Sequence, residues 1–465
     1  MTVTSEETQQ AVGDAKMLSA ERFTVIASEG LGRKSASTAH SMAYFRGSLY
    51  LGTSCGNPVA PEDAPRILRY DPGRGEWQTV YESPLVDPVG RQLVADRTLG
   101  KLSTLRRSKG PLPRHAGYRS MCVFQGKSDD APALYVSTMS RSGASILRSA
   151  DGETFEIVSE PGLGDPDIYS FRGLVALDGR IFASAAGLIT DEYLDRNHGR
   201  EGLVYVSDDP RTGNWVPAAE SGFGDRSNLA IYTLRPAFGR LYAGTANPDM
   251  GFQLWQTDAR GSPPFDWAPV IVDGAGGYNH NYAICAMAEF KGALYVGSGI
   301  TGFGYDTEHD IGPASCELLR VYPDDNWDLI AGQMRFTPDG LKVPLSLLGP
   351  GLGDFYNSVI WSLDVHNDVL YLGTHQWEAF RCMQLNSSQI VGGYQLWAST
   401  DGKKWTPVLE DGRGNPVDVG IRTIQSTPHG LFMGSCNHAR LFNIMGRRRR
   451  SEFEFPQGFE VLLGR

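Results

Sequence analysis

The stretch Asn367-Asp-Val-Leu-Tyr-Leu-Gly-Thr374, followed after an insertion by Tyr394-Gln-Leu-Trp-Ala-Ser-Thr-Asp-Gly-Lys-Lys-Trp-Thr-Pro-Val-Leu409, decides the fold of this chain. Its first part, 369–374, is apolar and rich in β-formers, and 394–399 alternates between inward and outward residues. A Thr-Asp-Gly turn then leads into a third β-rich run at 405–409. Together these features predict three consecutive antiparallel strands.

The same phrase recurs along the whole sequence, so the chain is a repeat protein. The Leu-Tyr-x-Gly-Thr strand or a close variant occurs at 49–53, 134–138, 181–185, 241–245, 294–298, 370–374 and 431–435. The copies lie roughly 45 to 85 residues apart, which is typical of propeller blades with loop insertions. A glycine-rich piece closes most units, at 161–165, 221–225, 273–276, 350–354 and 411–414. The repeat predicts an all-β fold, a seven-bladed β-propeller of four-stranded antiparallel blades.

The two ends of the chain complement each other. Residues 23–32 read as a fourth strand and a closing piece with no unit before them, whereas the last unit has only three strands, at 421–424, 431–435 and 458–463. We therefore expect the N-terminal strand to complete the last blade and remove its open edge. Residues 21–465 are predicted to form one propeller domain, preceded by a disordered or loosely docked tail over 1–20.

Two of the turns carry a known motif. Ser149-Ala-Asp-Gly152 and Ser399-Thr-Asp-Gly402 are each followed by an aromatic residue, Phe155 and Trp405. This pattern resembles the Asp-box of sialidase-like propellers, shortened by one residue. The resemblance implies a structural role, in which the aspartate caps a hairpin turn and the aromatic ring packs between strands. The arginine triad and tyrosine–glutamate nucleophile of sialidases find no counterpart in this sequence.

Bulk properties exclude several classes of function. The net charge of −10 disfavours general nucleic-acid binding, and no stretch is long and apolar enough to cross a bilayer. The N-terminus lacks a secretory pattern and the six cysteines lack paired spacing, which predicts a cytoplasmic protein with reduced thiols. The basic run at 447–450 is interpreted as a solvated loop, with a patch for an anionic partner as the alternative.

Aligning the units identifies one variable position at the start of each innermost strand, where the strands surround a mouth of the central channel. Its occupants are His40, Arg119, Arg172, Tyr232, Cys285, Trp361 and Arg422. Guanidinium groups suit bidentate binding of carboxylate or phosphate. We therefore predict a small anionic or polar-headed substrate with an apolar body. The alternative is that these arginines pair with acids such as Asp165, Asp167 and Asp225.

Histidines at the same mouth offer proton-transfer chemistry. His375 and His438 end the second strands of adjacent units, next to His40. They are candidates for acid–base catalysis without a cofactor, and a His-bound metal is the alternative. Carotenoid-cleaving propellers bind iron with four inner-strand histidines, but only His40 occupies that position in this sequence. Surface or turn positions without a role in the site are predicted for His115, His198, His309, His366 and His429.

Long insertions at 187–202, 299–314 and 375–392, and the basic linker 84–115, are expected to cover this mouth. They carry Asp191, Glu192, Tyr305, Asp306, Glu308, Trp377 and Glu378, the last as a substrate-binding candidate. The sequence thus predicts a cytoplasmic biosynthetic enzyme, of cyclase, lyase, transferase or hydrolase type. Two alternatives remain: a protein- or glycan-recognition module anchored by exposed Trp377 and Tyr305, and a His-coordinated metal oxygenase. The oligomeric state is not predicted.

Overall fold

The computed structural model describes residues 17–55, 60–87, 95–96, 110–190, 193–300, 302–449 and 454–465. Most of the predicted tail, most of the basic linker, Asp191, Glu192 and Arg450 lie outside these residues. The described chain is all-β, and nearly every strand belongs to one antiparallel network.

Seven long hairpins form the repeated part of this network. Their first strands are Thr38–Phe45, His115–Phe124, Ile168–Leu177, Ala230–Ala237, Ala283–Phe290, Asn357–His366 and Asp418–Thr427. Their second strands are Ser48–Ser54, Ala133–Ser140, Arg180–Ile189, Arg240–Ala246, Ala293–Gly299, Val369–Gln376 and Gly430–Asn437. The second strands contain the Leu-Tyr-x-Gly-Thr phrase of the sequence and are almost entirely buried.

Two outer strands extend each hairpin, and each hairpin with its outer strands is called a unit, numbered in the order of the hairpins. The third strands are Arg66–Asp71, Ile146–Ser149, Val204–Ser207, Leu254–Thr257, Leu318–Val321, Leu396–Ser399 and Val461–Gly464. In units 1 to 6 the fourth strands are Glu76–Glu82, Glu156–Ile157, Val216–Pro217, Ala268–Ile271, Trp327–Ala331 and Thr406–Leu409. In unit 7 the partner of Val461–Gly464 is Phe23–Ala27, with Phe23 opposite Gly464 and Val25 opposite Leu462.

Neighbouring units are joined by hydrogen bonds and by apolar side chains. Single residue pairs link the second strand of one unit to the first strand of another: Ser54–Gly117, Met139–Ser170, Ala246–Ala283, Gly299–Val359, His375–Gly420 and Cys436–Thr38. A hydrophobic cluster lies between every two consecutive units, and another joins unit 1 to unit 7, where Leu51 and Leu68 pack with Phe432 and Val461. Burial of these faces is the main force that holds the units side by side.

The packing between units explains why five of the seven copies of the repeated phrase carry glycine and the other two carry serine. A Cβ atom on Gly52 would lie 2.5 Å from Ser41 Oγ and 2.7 Å from Tyr118 Cβ. Ser41 Oγ also donates a hydrogen bond to the carbonyl of Tyr118 in the next unit, at 2.9 Å. The small residues at the second strand's glycine and at the position after His40 therefore allow the close approach of neighbouring sheets.

The glycine-rich closing pieces form single tight turns between the fourth strand and the next hairpin. They span Glu29–Gly32, Pro161–Gly164, Ser221–Gly224, Asp273–Gly276, Pro350–Gly353 and Asp411–Gly414. In each turn a glycine and the residue after it have positive φ, as at Gly162 (62°) and Leu163 (56°). That glycine also donates its N–H to the preceding unit, for example to the carbonyl of Ala144 at 2.6 Å. Glycine adopts positive φ without strain, whereas in each turn the residue that follows it is strained.

The two Asp-Gly turns are built as the sequence indicates. Asp151 Oδ1 accepts the backbone N–H groups of Glu153 and Thr154, both at 2.8 Å. These backbone hydrogen bonds lower the pKa of Asp151 to about 2. Gly152 lies directly beneath the hydroxyl of Tyr50 from the previous unit, which leaves no room for a Cβ atom. The aspartate therefore caps the turn.

The remaining elements lie outside the units. The described residues also form the helices Glu378–Gln384 and Ala439–Arg449, and the second extends into the basic run that the sequence interpreted as a loop. Small sheets pair Leu85–Val86 with Leu112–Pro113 and Arg335–Thr337 with Gly340–Lys342, and Ala95–Asp96 lies parallel to Tyr193–Asp195. Short 3-10 turns also occur at Ala20–Arg22, Pro61–Asp63, Pro210–Thr212 and Tyr278–His280. Within the described ranges, every helix is too short or too polar to span a bilayer.

Candidate functional site

A one-residue β-bulge marks the same place in all seven hairpins. In unit 1, Ala39 pairs with Thr53 and Ser41 pairs with Gly52, so His40 has no partner in the ladder. The residues at the equivalent positions are Arg119, Arg172, Tyr232, Cys285, Trp361 and Arg422. These seven residues are called the bulge set. Bulges redirect a side chain out of the regular pleat and are frequent beside active sites.

The bulge set brings the predicted cationic residues together. Burial lowers the pKa of His40 well below 6.5, and the positive charges of Arg422, Arg119 and Arg172 lower it further. Burial lowers the pKa of Arg422 to about 9, and the charge of Arg172 adds to this effect. Four groups that can carry positive charge therefore influence one another across different units, as the alignment of the repeat predicted.

The three arginines are held mainly by neutral partners. Arg119 is buried and donates to Ser170 Oγ (2.5 Å), to the carbonyl of Arg196 (3.0 Å) and to Asn197 Oδ1 (3.3 Å). Arg172 donates to the carbonyl of Tyr232 at 3.0 Å, and its guanidinium lies 4.0 Å from the centre of that ring.

Arg422 makes a single aromatic contact. Its guanidinium lies 5.3 Å from the centre of the Trp361 ring. A cation over an aromatic face is attracted by the ring quadrupole, but the positive charge itself is not neutralised.

The prediction that these arginines pair with Asp165, Asp167 and Asp225 is wrong. Asp165 and Asp167 form ion pairs with Arg200, and Asp225 accepts hydrogen bonds from Gln253 and Asn247. Among the described residues no carboxylate lies within ion-pair distance of Arg119, Arg172 or Arg422. Among the residues that the structure describes, no carboxylate balances the buried positive charge of this cluster, and such a charge is costly unless an anion neutralises it.

His375 and His438 form a second group beside the bulge set. Their ring centres are 6.1 Å apart, and the His375 ring is 4.7 Å from that of Trp361. Phe303, from the insertion of unit 5, packs on both imidazoles at 6.5 Å and 5.4 Å. Burial lowers the pKa of His375 to about 3 and that of His438 to about 4. Both rings are therefore neutral near pH 7.

The other predicted site residues divide between the bulge set and the surrounding loops. Burial raises the pKa of the Cys285 thiol, so that this group is protonated at neutral pH. Glu378 begins helix Glu378–Gln384, where Gln376 donates to it at 3.4 Å, and burial followed by the charge of Asp354 raises its pKa. The predicted exposed anchor Trp377 is buried, at 7% exposure, and Tyr305 donates its hydroxyl hydrogen to Asp310.

Three of the histidines read as surface or turn residues are instead buried: His115, His198 and His366. His198 is the most informative, because it belongs to a cluster that the sequence interpretation missed. The insertion of unit 3 contains Asp195-Arg-Asn-His198, and that of unit 5 contains Asp306-Thr-Glu-His309. The two imidazole ring centres are 5.8 Å apart and nearly perpendicular. The repeated Asp-x-x-His spelling, once in the insertion of unit 3 and once in that of unit 5, is the signal that could have identified it.

The two loops have the same internal geometry. Asp195 Oδ1 accepts the N–H groups of Asn197 and His198, and its Oδ2 lies 3.2 Å from His198 Nδ1. Asp306 does the same for Glu308 and His309, with Oδ2 to Nδ1 at 3.0 Å. The name Asp-His cluster is used below for Asp195, His198, Asp306, Glu308 and His309.

The electrostatics of His198 are the reverse of those of His40. Burial lowers the pKa of His198, but the hydrogen bond and charge of Asp195 outweigh this effect and raise it overall, with help from the charge of Asp306. The Nε2 atom of His198 contacts the hydroxyl groups of Tyr282 and, at 3.4 Å, Tyr232. The ring of Tyr232 also contacts the guanidinium of Arg172.

No known protein family and no curated protein matches this chain. Solved structures with similar folds include the GH74 xyloglucanase from Xanthomonas campestris, at 15% identity and a TM-score of 0.47, over 89% of this chain and 53% of that one. GH74 from Niastella koreensis is similar at 14% identity and 0.45, over 89% and 53%. The WD40 β-propeller domain of Doa1 is similar at 10% identity and 0.41, over 89% and 94%.

These neighbours are β-propeller proteins, and they include both a glycoside hydrolase group and a WD40 domain. This chain spans about half the length of the two GH74 structures. At these identities and TM-scores the likenesses carry no argument about activity or substrate. The function therefore has to be inferred from the chain's own residues.

Proposed function

We propose that the seven units form a closed seven-bladed propeller with Asp-box-like turns, locked where Phe23–Ala27 completes the last blade. Two observations support this arrangement: the pairing of Phe23–Ala27 with Val461–Gly464, and the hydrophobic cluster between the first and last units. Closure of this kind leaves no strand edge open to other chains. In this arrangement the bulge set lines the channel along the ring axis.

Within that channel, we propose, the protein binds a small anionic metabolite as an enzyme of cytoplasmic biosynthesis. The observation that carries the proposal is the set of three guanidiniums beside His40 with no carboxylate partner among the described residues. A carboxylate or phosphate group would balance this charge and accept bidentate hydrogen bonds. Trp361 and Tyr232, which lie against Arg422 and Arg172, offer flat apolar faces for the body of the ligand.

Proton transfer is assigned to the histidines that surround this anion. His40, His375 and His438 all have lowered pKa values, so each is an unprotonated imidazole at neutral pH. An unprotonated imidazole can accept a proton, and a bound anion beside His40 would raise its pKa toward the range in which a general base is effective. The positive charges beside His40 also make its surroundings unfavourable for a metal cation, so an oxygenase centre at these three histidines is the weaker candidate.

A ligand screen tests the anion site. Small carboxylates and inorganic phosphate are added to the purified protein, and thermal unfolding is followed. A ligand at a hundredfold excess over its Kd stabilises the folded state by about 2.7 kcal/mol, which raises the Tm by several degrees. Arg422→Gln should abolish that increase, because it removes a guanidinium that no described carboxylate pairs with.

Arg260→Gln is the matched control, because Arg260 is exposed and pairs only weakly with Asp258, at 3.9 Å. It should retain the full increase in Tm. If no anion raises the Tm, or if Arg422→Gln responds as strongly as the unaltered protein, the arginines of the bulge set have a structural role and the proposed site is wrong.

A further inference from the structure

The Asp-His cluster has a composition opposite to that of the bulge set. Two aspartates, two histidines and a glutamate from separate insertions meet at one place. The carboxylates of Asp195 and Asp306 have a histidine as their nearest cationic partner, and within the described part of the chain neither pairs with a lysine or arginine. Counting the cluster's own described side chains, three carboxylates face two histidines, so a cation is a ligand that would balance them.

The donor atoms of this cluster already converge. One carboxylate oxygen of Asp195, one ring nitrogen of His198 and one carboxylate oxygen of Glu308 all lie within 4.8 Å of one another. Zinc binds nitrogen and carboxylate oxygen at about 2.0 to 2.2 Å, which places neighbouring ligand atoms about 3.5 Å apart in a tetrahedral site. The three atoms therefore have to approach one another by at most about 1.3 Å to reach that spacing.

From this geometry we infer that Asp195, His198 and Glu308 form a divalent transition-metal site, with Asp306 and His309 beside it. A mixture of imidazole and carboxylate donors is suited to zinc and its neighbours in the first transition row. The site is distinct from the proposed anion site of the bulge set, and each can exist without the other.

The surroundings of His198 are those of a metal ligand. Its Nδ1 faces Asp195, whereas Nε2 contacts the hydroxyl groups of Tyr282 and Tyr232. Metal-binding histidines commonly use their second nitrogen in such a hydrogen bond, which fixes the orientation of the ring. Arg119 holds the same loop through the carbonyl of Arg196 and the side chain of Asn197. The loop is therefore oriented before any ion binds.

The test is a zinc titration of the full chain after removal of metals with a chelator. Binding is measured by calorimetry, and retained zinc is measured by elemental analysis after desalting. We expect one zinc ion per chain in the unaltered protein. Glu308→Gln should weaken the zinc affinity at least tenfold, and His198→Gln should abolish stoichiometric binding. His429→Gln is the matched control, because His429 is exposed and its imidazole forms a hydrogen bond with Tyr44 in unit 1.

Glu308→Gln keeps the test valid if His198→Gln fails to fold, because Glu308 is exposed and glutamine has the same size. Replacing zinc with cobalt(II) gives a second measurement, since a tetrahedral site produces visible absorption that Glu308→Gln should change. Equal zinc affinity in the unaltered protein and in Glu308→Gln, or no stoichiometric zinc in the unaltered protein, would overturn the proposal. Arg422→Gln should retain zinc, so failure of the anion site and failure of the metal site are distinguishable.

Discussion

The bulge set and the Asp-His cluster are two polar groups of one protein with opposite charge. In the bulge set, neighbouring arginines add to the effect of burial and lower the pKa of His40. In the Asp-His cluster, carboxylates outweigh burial and raise the pKa of His198. Tyr232 contacts both regions, through Arg172 on one side and His198 on the other. The same side chain, imidazole, is thus tuned in opposite directions over a short distance by the sign of its neighbours.

Replacement of Arg119 should disturb the bulge set and the Asp-His cluster together. Arg119→Met removes the hydrogen bonds to Ser170, to the carbonyl of Arg196 and to Asn197, and leaves buried acceptors without donors. We expect the free energy of unfolding to fall by about 2 to 4 kcal/mol, measured by urea denaturation. Both anion and zinc binding should weaken, because the loop with His198 loses its support. Arg422→Met, which removes an aromatic contact alone, should leave zinc binding intact.

Acid should destabilise the neutral histidines next to the bulge set. The pKa of His438 is lowered to about 4, so the unfolded chain takes up a proton below about pH 6.5 and the folded chain does not. This contribution to stability is complete above pH 6.5 and is lost as the pH falls toward 4. Between pH 6.5 and 4.5 the loss is about 3 kcal/mol, at 1.36 kcal/mol per pKa unit.

The slope of the unfolding free energy against pH reports how many more protons the unfolded chain binds than the folded one. His438→Asn should lower that number by about one between pH 6.5 and 4.5. Urea denaturation at several pH values measures the slope. His429→Asn, at an exposed position, is the control and should leave the slope unchanged. A slope that is the same in both variants would show that His438 titrates normally in the folded protein.

The smallest expected effect concerns the difference in pKa between the imidazoles of His40 and His198. Arg422→Gln removes the largest charge acting on His40, so the pKa of His40 should rise while that of His198 stays the same. The ring-proton NMR signals of the two histidines measure both values. The variant should also be more stable by about 1 kcal/mol, because it replaces an uncompensated buried charge with a neutral amide. Parallel changes in both histidines would contradict the separation of the two regions.

Much of the bulge set could be predicted because it follows the repeat. Each member lies a fixed number of positions before its Leu-Tyr strand, apart from one insertion, so counting along the sequence was enough to find His40, Arg172 and Arg422 together. The bulges themselves were not predicted. They depend on how the backbone of each first strand pairs with its neighbour, and no residue type at that position is constant.

The sequence by itself determined the repeated strands, their turns and the alignment that groups the arginines, because these features depend on local patterns of apolar residues and glycine. The tertiary structure alone decided which charges are balanced. Asp195 and Asp306 lie in insertions of different units, and although both loops contain Asp-x-x-His, the repeat does not place one loop beside the other. Burial and charge depend on neighbours in space, so the meeting of the two loops, and the arginines that no described acid pairs with, became visible only in the folded chain.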